Sequence, residues 1–599
     1  MQLHGFWHAK STCEAHSRGS VDPAVVYLPL SAVAYWMSLP PLNVACAVII
    51  VPMLWSAVIC HSRPSARNSL SGALDHQSRR KEIRSYLIAW ASGIGFWAAA
   101  FAPMGKLDDP WLRELWLILS ITLGLIWPVF IWLSRFAYWR LGWPVWLAAP
   151  VVWCGLEACR KQRSLVEFPF ASLEHAIYRQ PMLLQGADIV GEYGIGFAIV
   201  MVGAGLGDLA FGGDRDRNRH SRLPHGASGA VVALAILGGA VIYGQRQLAI
   251  LPNSEERDSY SIAALQGSLD SAPSDRQEQW TERQIQYRQL SADAGPHADV
   301  VIWPEDSCEL PYFEFSPDYT PSTWRHESRA SIDKMLSELV SSAESSLCAI
   351  AKETAAPVIL GLRTTFTDAA GRRSLRNTAL MVDVGCVAGP RQDKRLLAPV
   401  IERGWLARRL FPTDPPWEAG KSTVCFSIAA NSAKTHDALR PNAALEERLP
   451  SRPLRGLALI CYESGQADFV RSQVIQMRRR GEAPDVFLGL SNDVSWRLES
   501  LSEMHTATYV YRAVENRKPY VSAVSGGYAS WIDNTGRIRA QGEPGKPMYI
   551  VATVTQGDRT TPFQRFGHWL PDICLLADLS LLLWTSCLWL RARRSLGAE

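Results

Sequence analysis

The sequence predicts an α/β domain, a sheet covered by helices, set between the seventh and eighth of eight membrane-spanning helices. Two observations lead there. Residues 24–250 and 567–590 are apolar and Trp-rich, whereas about 255–560 has the mixed composition of a globular domain. Within the mixed stretch, short apolar runs alternate with longer amphipathic ones, the pattern of strands with helices laid over them. A chain of 599 residues is too long for one ordinary soluble domain.

The membrane part comes first. A bilayer-spanning helix needs about 20 mainly apolar residues. Eight segments qualify, at roughly 24–40, 42–60, 86–104, 113–137, 143–159, 187–211, 228–249 and 567–590. The first two are short and separated by Pro40-Pro41, which predicts a tight hairpin. The fifth carries Glu157 near one end. The first span lacks a small-x-small cleavage site before Pro40 and a second apolar run follows at once, so it reads as an uncleaved span rather than a signal peptide. The organisation is then a 1–23 cytoplasmic tail, a 24–250 membrane domain of seven helices, a 255–560 globular domain, a 567–590 C-terminal helix and a 591–599 basic tail.

Orientation follows the Lys/Arg bias of short loops. Loop 61–85 holds Arg63, Arg67, Arg79, Arg80, Lys81 and Arg84, loop 212–227 holds Arg215, Arg217, Arg219 and Arg222, and the tail holds Arg591, Arg593 and Arg594. With eight spans these stretches share the cytoplasmic side with the N-terminus, and the globular domain faces the opposite side. Loop 160–186 runs against the bias with Arg160, Lys161, Arg163 and Arg179, which reads either as contact with lipid phosphates or as an ordinary solvated loop.

In the globular part, 261–265, 299–303, 357–361, 379–383, 456–460 and 485–489 read as strands, and 276–294 and 326–354 as helices. Residues 413–454, rich in Ala, Pro and charge, read as a polar insertion, a surface excursion or lid. Net charge is only +4, so nothing points to a nucleic-acid partner. Twelve Cys without CxxC pairs or Cys/His spacing argue against a zinc site. Cys308, Cys348, Cys386 and Cys425 could pair in an oxidising compartment, and the sequence leaves open whether they do.

The chemistry centres on Cys461. It ends the apolar run Gly456–Ile460 and is followed by Tyr462 and Glu463. Upstream, the run Asp299–Trp303 ends in Pro304-Glu305, and Lys394 sits in Asp393-Lys-Arg-Leu-Leu-Ala-Pro399. A carboxylate, an ammonium and a thiol in that order can form a Glu-Lys-Cys catalytic site. A lone Cys at the end of an apolar run is ordinarily a core residue. The matching contexts of Glu305 and Lys394 favour catalysis here. His505, Trp496 and Trp531 read as structural and packing residues.

Trp303-Pro-Glu305, Lys394 and Cys461-Tyr-Glu463 resemble the triad of the nitrilase (carbon–nitrogen hydrolase) superfamily. With membrane helices attached, the chain is similar to the apolipoprotein N-acyltransferase family. Gln266-Gly267, the Lys394-to-Glu402 spacing, Ser491-Asn-Asp493, His505, Arg512-Ala513, Glu515 and Arg517-Lys-Pro519 continue the pattern. So do Glu157-Ala-Cys-Arg160, Phe168-Pro-Phe170, Pro181, Gln185 and Gly191-Glu-Tyr-Gly194 in the membrane part. The similarity runs from about 86 to 590. The sequence departs from the family at Pro399-Val-Ile-Glu402, at Asn492-Asp-Val-Ser-Trp496 and at Ser525-Gly526. These positions line or support the active-site mouth in the family. They bear on the acyl acceptor more than on the chemistry, as in a divergent paralogue.

The resemblance implies a nitrilase-like α-β-β-α sandwich inserted between transmembrane helices 7 and 8 of an eight-helix bundle, with its catalytic domain periplasmic at a bacterial inner membrane. It implies Cys461 as nucleophile, Glu305 as general base and acid, and Lys394 with the Tyr462 N–H stabilising the oxyanion. Glu402 and Glu463 are positions that hold Lys394 and the incoming amine. The implied cycle is ping-pong: a phospholipid acylates Cys461, and a diacylglyceryl-cysteine lipoprotein takes the chain on its α-amine, with no metal or organic cofactor and the protein a monomer. Two other readings use the same residues. One is a membrane-tethered hydrolase of amide or nitrile C–N bonds, in which water resolves the acyl-enzyme. The other is a non-catalytic membrane scaffold that reuses the fold.

Overall fold

The computed structural model describes residues 22–61, 76–102, 104, 110–163, 167–211, 225–250, 259–268, 277–321, 327–399, 401–404, 408–409, 415–430, 452–494 and 499–596. All eight apolar segments are helical. They form α1 (Pro23–Ser38), α2 (Ala47–His61), α3 (His76–Ala100), α4 (Pro110–Gly124) running on into α5 (Ile126–Phe136), α6 (Val145–Ala158), and, after a one-turn α7 (Pro181–Leu184), α8 (Ala187–Phe211), α9 (His225–Ile250) and the C-terminal helix Trp569–Leu596. Among the described residues, four stretches are long and apolar enough to cross a membrane: Leu112–Leu141, Ala187–Phe211, Ala227–Ile250 and Trp569–Arg591. Pro23–Ser38 and Ala47–His61 are apolar but shorter, because the Pro40-Pro41 hairpin sits between them. The helix α3 starts ten residues before the predicted apolar segment, so Arg80, Lys81 and Arg84 stand on a helix rather than in a loop. At the bundle's centre, Trp55 packs against Phe130 and Trp153 with ring centroids 4.7 and 4.6 Å away.

The globular part is an α/β fold. Its strands are β1 (Ser259–Gly267), β2 (Val300–Ile302), β3 (Cys308–Phe315), β4 (Val358–Thr367), β5 (Arg373–Val382), β6 (Ala388–Asp393), β7 (Phe426–Ile428), β8 (Leu454–Ile460), β9 (Val486–Asn492), β10 (Tyr520–Ser525), β11 (Ser530–Ile532), β12 (Ile538–Gln541) and β13 (Met548–Thr555). The main order is β6-β5-β4-β2-β1-β10-β9-β8-β7. Its middle is parallel, from β4 through β2, β1, β10 and β9 to β8. The link between β1 and β10 is only two residue pairs long, Gln266 with Val524 and Gly267 with Ser525, whereas β13 runs antiparallel along the whole of β1.

Side-chain alternation shows how the sheet folds on itself. In a strand, successive side chains point to opposite faces. Ile262, Ala264, Val300 and Ile302 share one core with Ala458, Ile460, Leu488 and Val521 of the other half-sheet. Ala263, Leu265, Val301 and Trp303 face the opposite way, onto Tyr287 of α10 (Gln277–Ala294) and Leu347 and Ile350 of α11 (Arg329–Thr354). On the far side, Leu457, Leu459 and Phe487 pack with the helices Ala467–Arg479 and Glu499–Asn516 in a core continuous with the membrane bundle. Runs apolar on every residue are therefore strands buried on both faces.

Two of the charges of loop 160–186 differ from both readings. Arg160 and Lys161 are buried rather than solvated or turned to lipid. Arg160 pairs with Glu157 at 2.6 Å, and Lys161 pairs with Glu174 and with Glu192 at 3.1 Å. Arg179 reaches Glu503 of the globular part at 2.9 Å. Their carboxylate partners come from α6 (Glu157), from the loop's own turn Leu173–Ile177 (Glu174), from α8 (Glu192) and from the helix Glu499–Asn516 (Glu503). Cys348 and Cys386 form a disulfide between α11 and the β5–β6 turn, while Cys308 and Cys425 are free thiols. Of the 413–454 insertion, residues 415–430 and 452–454 are described. Residues 415–430 are pinned to β5, the Leu375 N–H donating to the Pro416 carbonyl and the Glu418 N–H to the Leu375 carbonyl, both at 2.8 Å, and Phe426–Ile428 adds the edge strand β7. That part is an addition to the sheet; residues 431–451, and Trp496, lie outside the described residues. Trp531, half-buried in β11, packs against the central core.

Candidate active site

Three strand ends bring the predicted residues together. Glu305 follows β2, Lys394 follows β6 and Cys461 follows β8. Their side chains line one cavity of about 290 Å³. Ligands of open α/β sheets bind at such carboxyl ends of strands.

Lys394 Nζ lies 3.1 Å from Glu305 Oε1 and 2.8 Å from Glu402 Oε1. Glu402 is braced in turn, its Oε2 accepting the Ala398 N–H at 2.6 Å. Burial alone would push the Lys394 ammonium down, but the Glu305 and Glu402 carboxylates outweigh it and hold it well above the ordinary lysine range. Burial pushes the Glu305 carboxyl up, with Lys394 opposing. Its other bonds are from Asn377 Nδ2 at 2.5 Å and from the Asn492 N–H at 3.0 Å, and the Cys461 thiol is within hydrogen-bonding reach. The β2 end fits against β4 only because residue 361 is glycine: a Cβ there would stand 2.0 Å from the Pro304 oxygen.

Cys461 opens the 3₁₀ turn Cys461–Gly465 with φ 51°, a left-handed conformation that costs a residue with a Cβ about 1–3 kcal/mol. Two groups hold it there. Glu463, fully buried, accepts the Ile460 N–H at 2.8 Å and, on its other oxygen, the Arg395 and Leu396 N–H groups at 2.7 and 3.1 Å. It therefore staples the nucleophile turn to the segment that carries Lys394, through backbone rather than through the ammonium. The sequence does not separate the jobs of Glu402 and Glu463; among the described contacts, Glu402 is the one of the two that bonds Lys394. Burial raises the Glu463 carboxyl to about 7 despite its three N–H donors. The second group is His505, whose Nε2 lies 3.2 Å from the Cys461 carbonyl oxygen. Burial, and then the Glu305 carboxylate, push the Cys461 thiol well up, so the thiol rests protonated beside Glu305.

The membrane part supplies one wall of the cavity. Leu115 and Leu119 come from α4, and Phe168, Pro169 and Phe170 from the loop after α6. Arg160 shapes that loop, donating to the Phe168 and Phe170 carbonyls at 2.7 and 2.8 Å. Tyr462 closes the junction, its hydroxyl donating to the Glu167 carbonyl at 2.7 Å and accepting from Gln466 at 2.6 Å. Pro169 sits against the nucleophile turn so closely that a Cβ at Gly465 would be 2.7 Å from its ring. Across the mouth, Trp417 of the insertion lies under the Arg363 guanidinium, 5.3 Å from the ring centroid.

Sequence reasoning missed Asn377, which lies just before the apolar run of β5 and had no signal beyond being polar in a strand. It also missed the apolar wall, since nothing in α4 marks Leu115 and Leu119 as facing a cavity.

Residues 31–205 match the family described as the apolipoprotein N-acyltransferase N-terminal domain. Apolipoprotein N-acyltransferase of Geobacter metallireducens is 26% identical over 487 residues, covering 80% of this chain and 82% of that protein. That of Rhodopirellula baltica is 25% identical over 483 residues, covering 75% and 79%. That of Synechocystis is 24% identical over 535 residues, covering 83% and 88%. Among solved structures, an amidase from Nesterenkonia sp. is 16% identical with a TM-score of 0.30, covering 50% of this chain and 92% of that one.

Proposed function

We propose, from the likeness of residues 31–205 to the apolipoprotein N-acyltransferase N-terminal domain and of most of the chain to apolipoprotein N-acyltransferases of three bacteria, that Cys461 relays a fatty acyl chain from a phospholipid to the N-terminal amine of diacylglyceryl-cysteine lipoproteins. The observation that carries this reading is the convergence of Glu305, Lys394 and Cys461 on a cavity walled by Leu115, Leu119 and Phe168 of the membrane part. An acyl ester drawn from the bilayer meets the nucleophile along that wall.

In the first half-reaction, Glu305 takes the Cys461 proton as sulfur bonds the ester carbonyl carbon. The negative charge on the carbonyl oxygen is stabilised by Lys394 and the Tyr462 N–H. The C–O bond then breaks and Glu305 returns the proton to the departing lysophospholipid oxygen. In the second, the lipoprotein α-amine attacks the thioester, Glu305 takes an amine proton, and the sulfur leaves and is reprotonated. Glu402 keeps Lys394 aimed, and Glu463 keeps Cys461 and Lys394 in register.

In the finer reading, the eight helices all span the membrane, short ones included, and the 255–560 domain is periplasmic, supported by the basic residues of 61–85, 212–227 and the tail. Ala369, on an exposed turn, is a site for a test. In Ala369→Cys, a membrane-impermeant maleimide added outside intact spheroplasts labels the new thiol above the unsubstituted background. Labelling only after lysis would reverse the orientation. The activity is tested with purified protein, phospholipid vesicles and a synthetic diacylated lipopeptide. Triacylated product supports the reading, and its absence with the acyl-enzyme formed would move the acceptor elsewhere.

A further inference from the structure

The Cys461 carbonyl has a role that the triad does not explain. A peptide unit is planar and, in its trans form, its C=O and N–H point in opposite directions. The Cys461 carbonyl and the Tyr462 N–H belong to one such unit. Whatever holds the carbonyl therefore aims the N–H. The holder is His505: its Nε2 is 3.2 Å from that carbonyl oxygen, and since a carbonyl only accepts, Nε2 carries the proton. The opposite ring nitrogen, Nδ1, lies 3.3 Å from Asp493 Oδ1, and Ser491 Oγ donates to the same oxygen at 2.8 Å. The ring is also wedged between Phe170, edge-on at 5.5 Å, and Tyr509 at 4.8 Å. His505 and Asp493 are almost wholly buried. The device is therefore rigid, and Phe170 ties it to the loop that forms the membrane-side wall.

We propose that His505, oriented by Asp493, is a positioning residue that points the Tyr462 N–H into the oxyanion site by holding the Cys461 carbonyl. The proposal rests on reading Cys461 as the nucleophile. It concerns only reactions that pass through a tetrahedral oxyanion. Acylation does: sulfur bonds the ester carbon, the carbonyl oxygen gains the charge, and the alcohol or phenol leaves with the electron pair of its C–O bond. Alkylation by iodoacetamide does not, because sulfur displaces iodide directly at a saturated carbon.

The test compares the two reactions at Cys461 in full-length, detergent-purified protein at matched pH. Acylation by a short-chain p-nitrophenyl ester is followed as nitrophenolate release and acyl-adduct mass, and alkylation by peptide mapping. In His505→Ala, acylation falls by about 10²–10³, the usual loss for one oxyanion donor, while alkylation is unchanged. His505→Gln, whose amide N–H can reach the same carbonyl, recovers part of the acylation. Equal slowing of both reactions in both variants, or unchanged acylation in His505→Ala, overturns the proposal. The nitrophenyl ester keeps this result separate from the lipid reading. If the wild type takes the ester but not phospholipid, the donor assignment fails and the positioning role is still tested.

Discussion

Lys161 lies between Glu174 and Glu192 where the two parts of the molecule meet, and Lys394 lies between Glu305 and Glu402 at the cavity. Both lysines are almost wholly buried. The surroundings differ. Around Lys161 the charges close on one another. Glu192 takes Arg512 at 2.9 Å, the Glu192 N–H donates to Glu515 at 2.9 Å, and Asp188 takes Arg517 at 2.6 Å. Each of these bonds crosses from α8 to the globular part. Around Lys394 the charges leave an opening, with a thiol on a strained turn at its edge. A buried glutamate–lysine–glutamate set is thus a clasp when it is closed and a site when a nucleophile and a cavity are added. Removing one partner of a buried pair costs about 3–5 kcal/mol in either place, because the remaining charge is stranded. On the proposed function, only at the second does it also remove a transition-state contact.

The comparison can be broken by experiment, beginning with the largest effect. Glu305→Gln lowers the rate of Cys461 acylation by about 10²–10⁴, the range for loss of a general base. The same change removes a negative charge that pushes the thiol up. The midpoint of iodoacetamide reactivity at Cys461 therefore moves to lower pH while acylation collapses. Acylation that survives would remove Glu305 from the mechanism. Next, lysine-to-methionine changes are made at both clusters. Lys394→Met lowers acylation by about 10²–10³. Lys161→Met lowers the thermal midpoint, leaving acylation by a soluble ester near wild type in the molecules that stay folded. Equal loss of acylation in the two would mean that the first cluster is part of the chemistry.

Smaller effects sharpen the boundary of the site. Asn377→Ala removes one of the two side-chain donors to Glu305 Oε1, leaving Lys394 as the other, and slows acylation by about 10- to 100-fold, the equivalent of about 1–3 kcal/mol. Its Tm stays closer to wild type than that of Lys161→Met. Tyr462→Phe deletes the bond to the Glu167 carbonyl, worth about 1 kcal/mol. It raises the KM for phospholipid several-fold and spares the reaction with a soluble ester. If both donors suffer alike, the junction does not serve lipid delivery.

The strands at 299–303 and 456–460 were readable because a segment buried on both faces is apolar on every residue, and the polar residue that ends such a run marks the strand end where chemistry sits. Glu305 and Cys461 were found in that way. The charges of loop 160–186 were not readable. The partner of Lys161 at Glu192 is 31 residues away, and that of Glu192 at Arg512 is 320 further on. A basic loop and a buried clasp look the same until those partners are placed. The separate tasks of Glu402 and Glu463 were hidden for a similar reason, since one bonds a side chain and the other bonds three backbone N–H groups. Asn377 was hidden because a single amide in a strand usually serves the sheet.

The most direct measurement is intact-mass spectrometry of the detergent-purified protein after incubation with phospholipid, wild type beside Cys461→Ala. A mass gain of one fatty acyl chain in the wild type, absent in the variant and removed by a diacylated lipopeptide, is the predicted result. An acyl adduct of equal size in Cys461→Ala, or lipopeptide acylation that persists in it, would contradict the assignment of Cys461 as the relay.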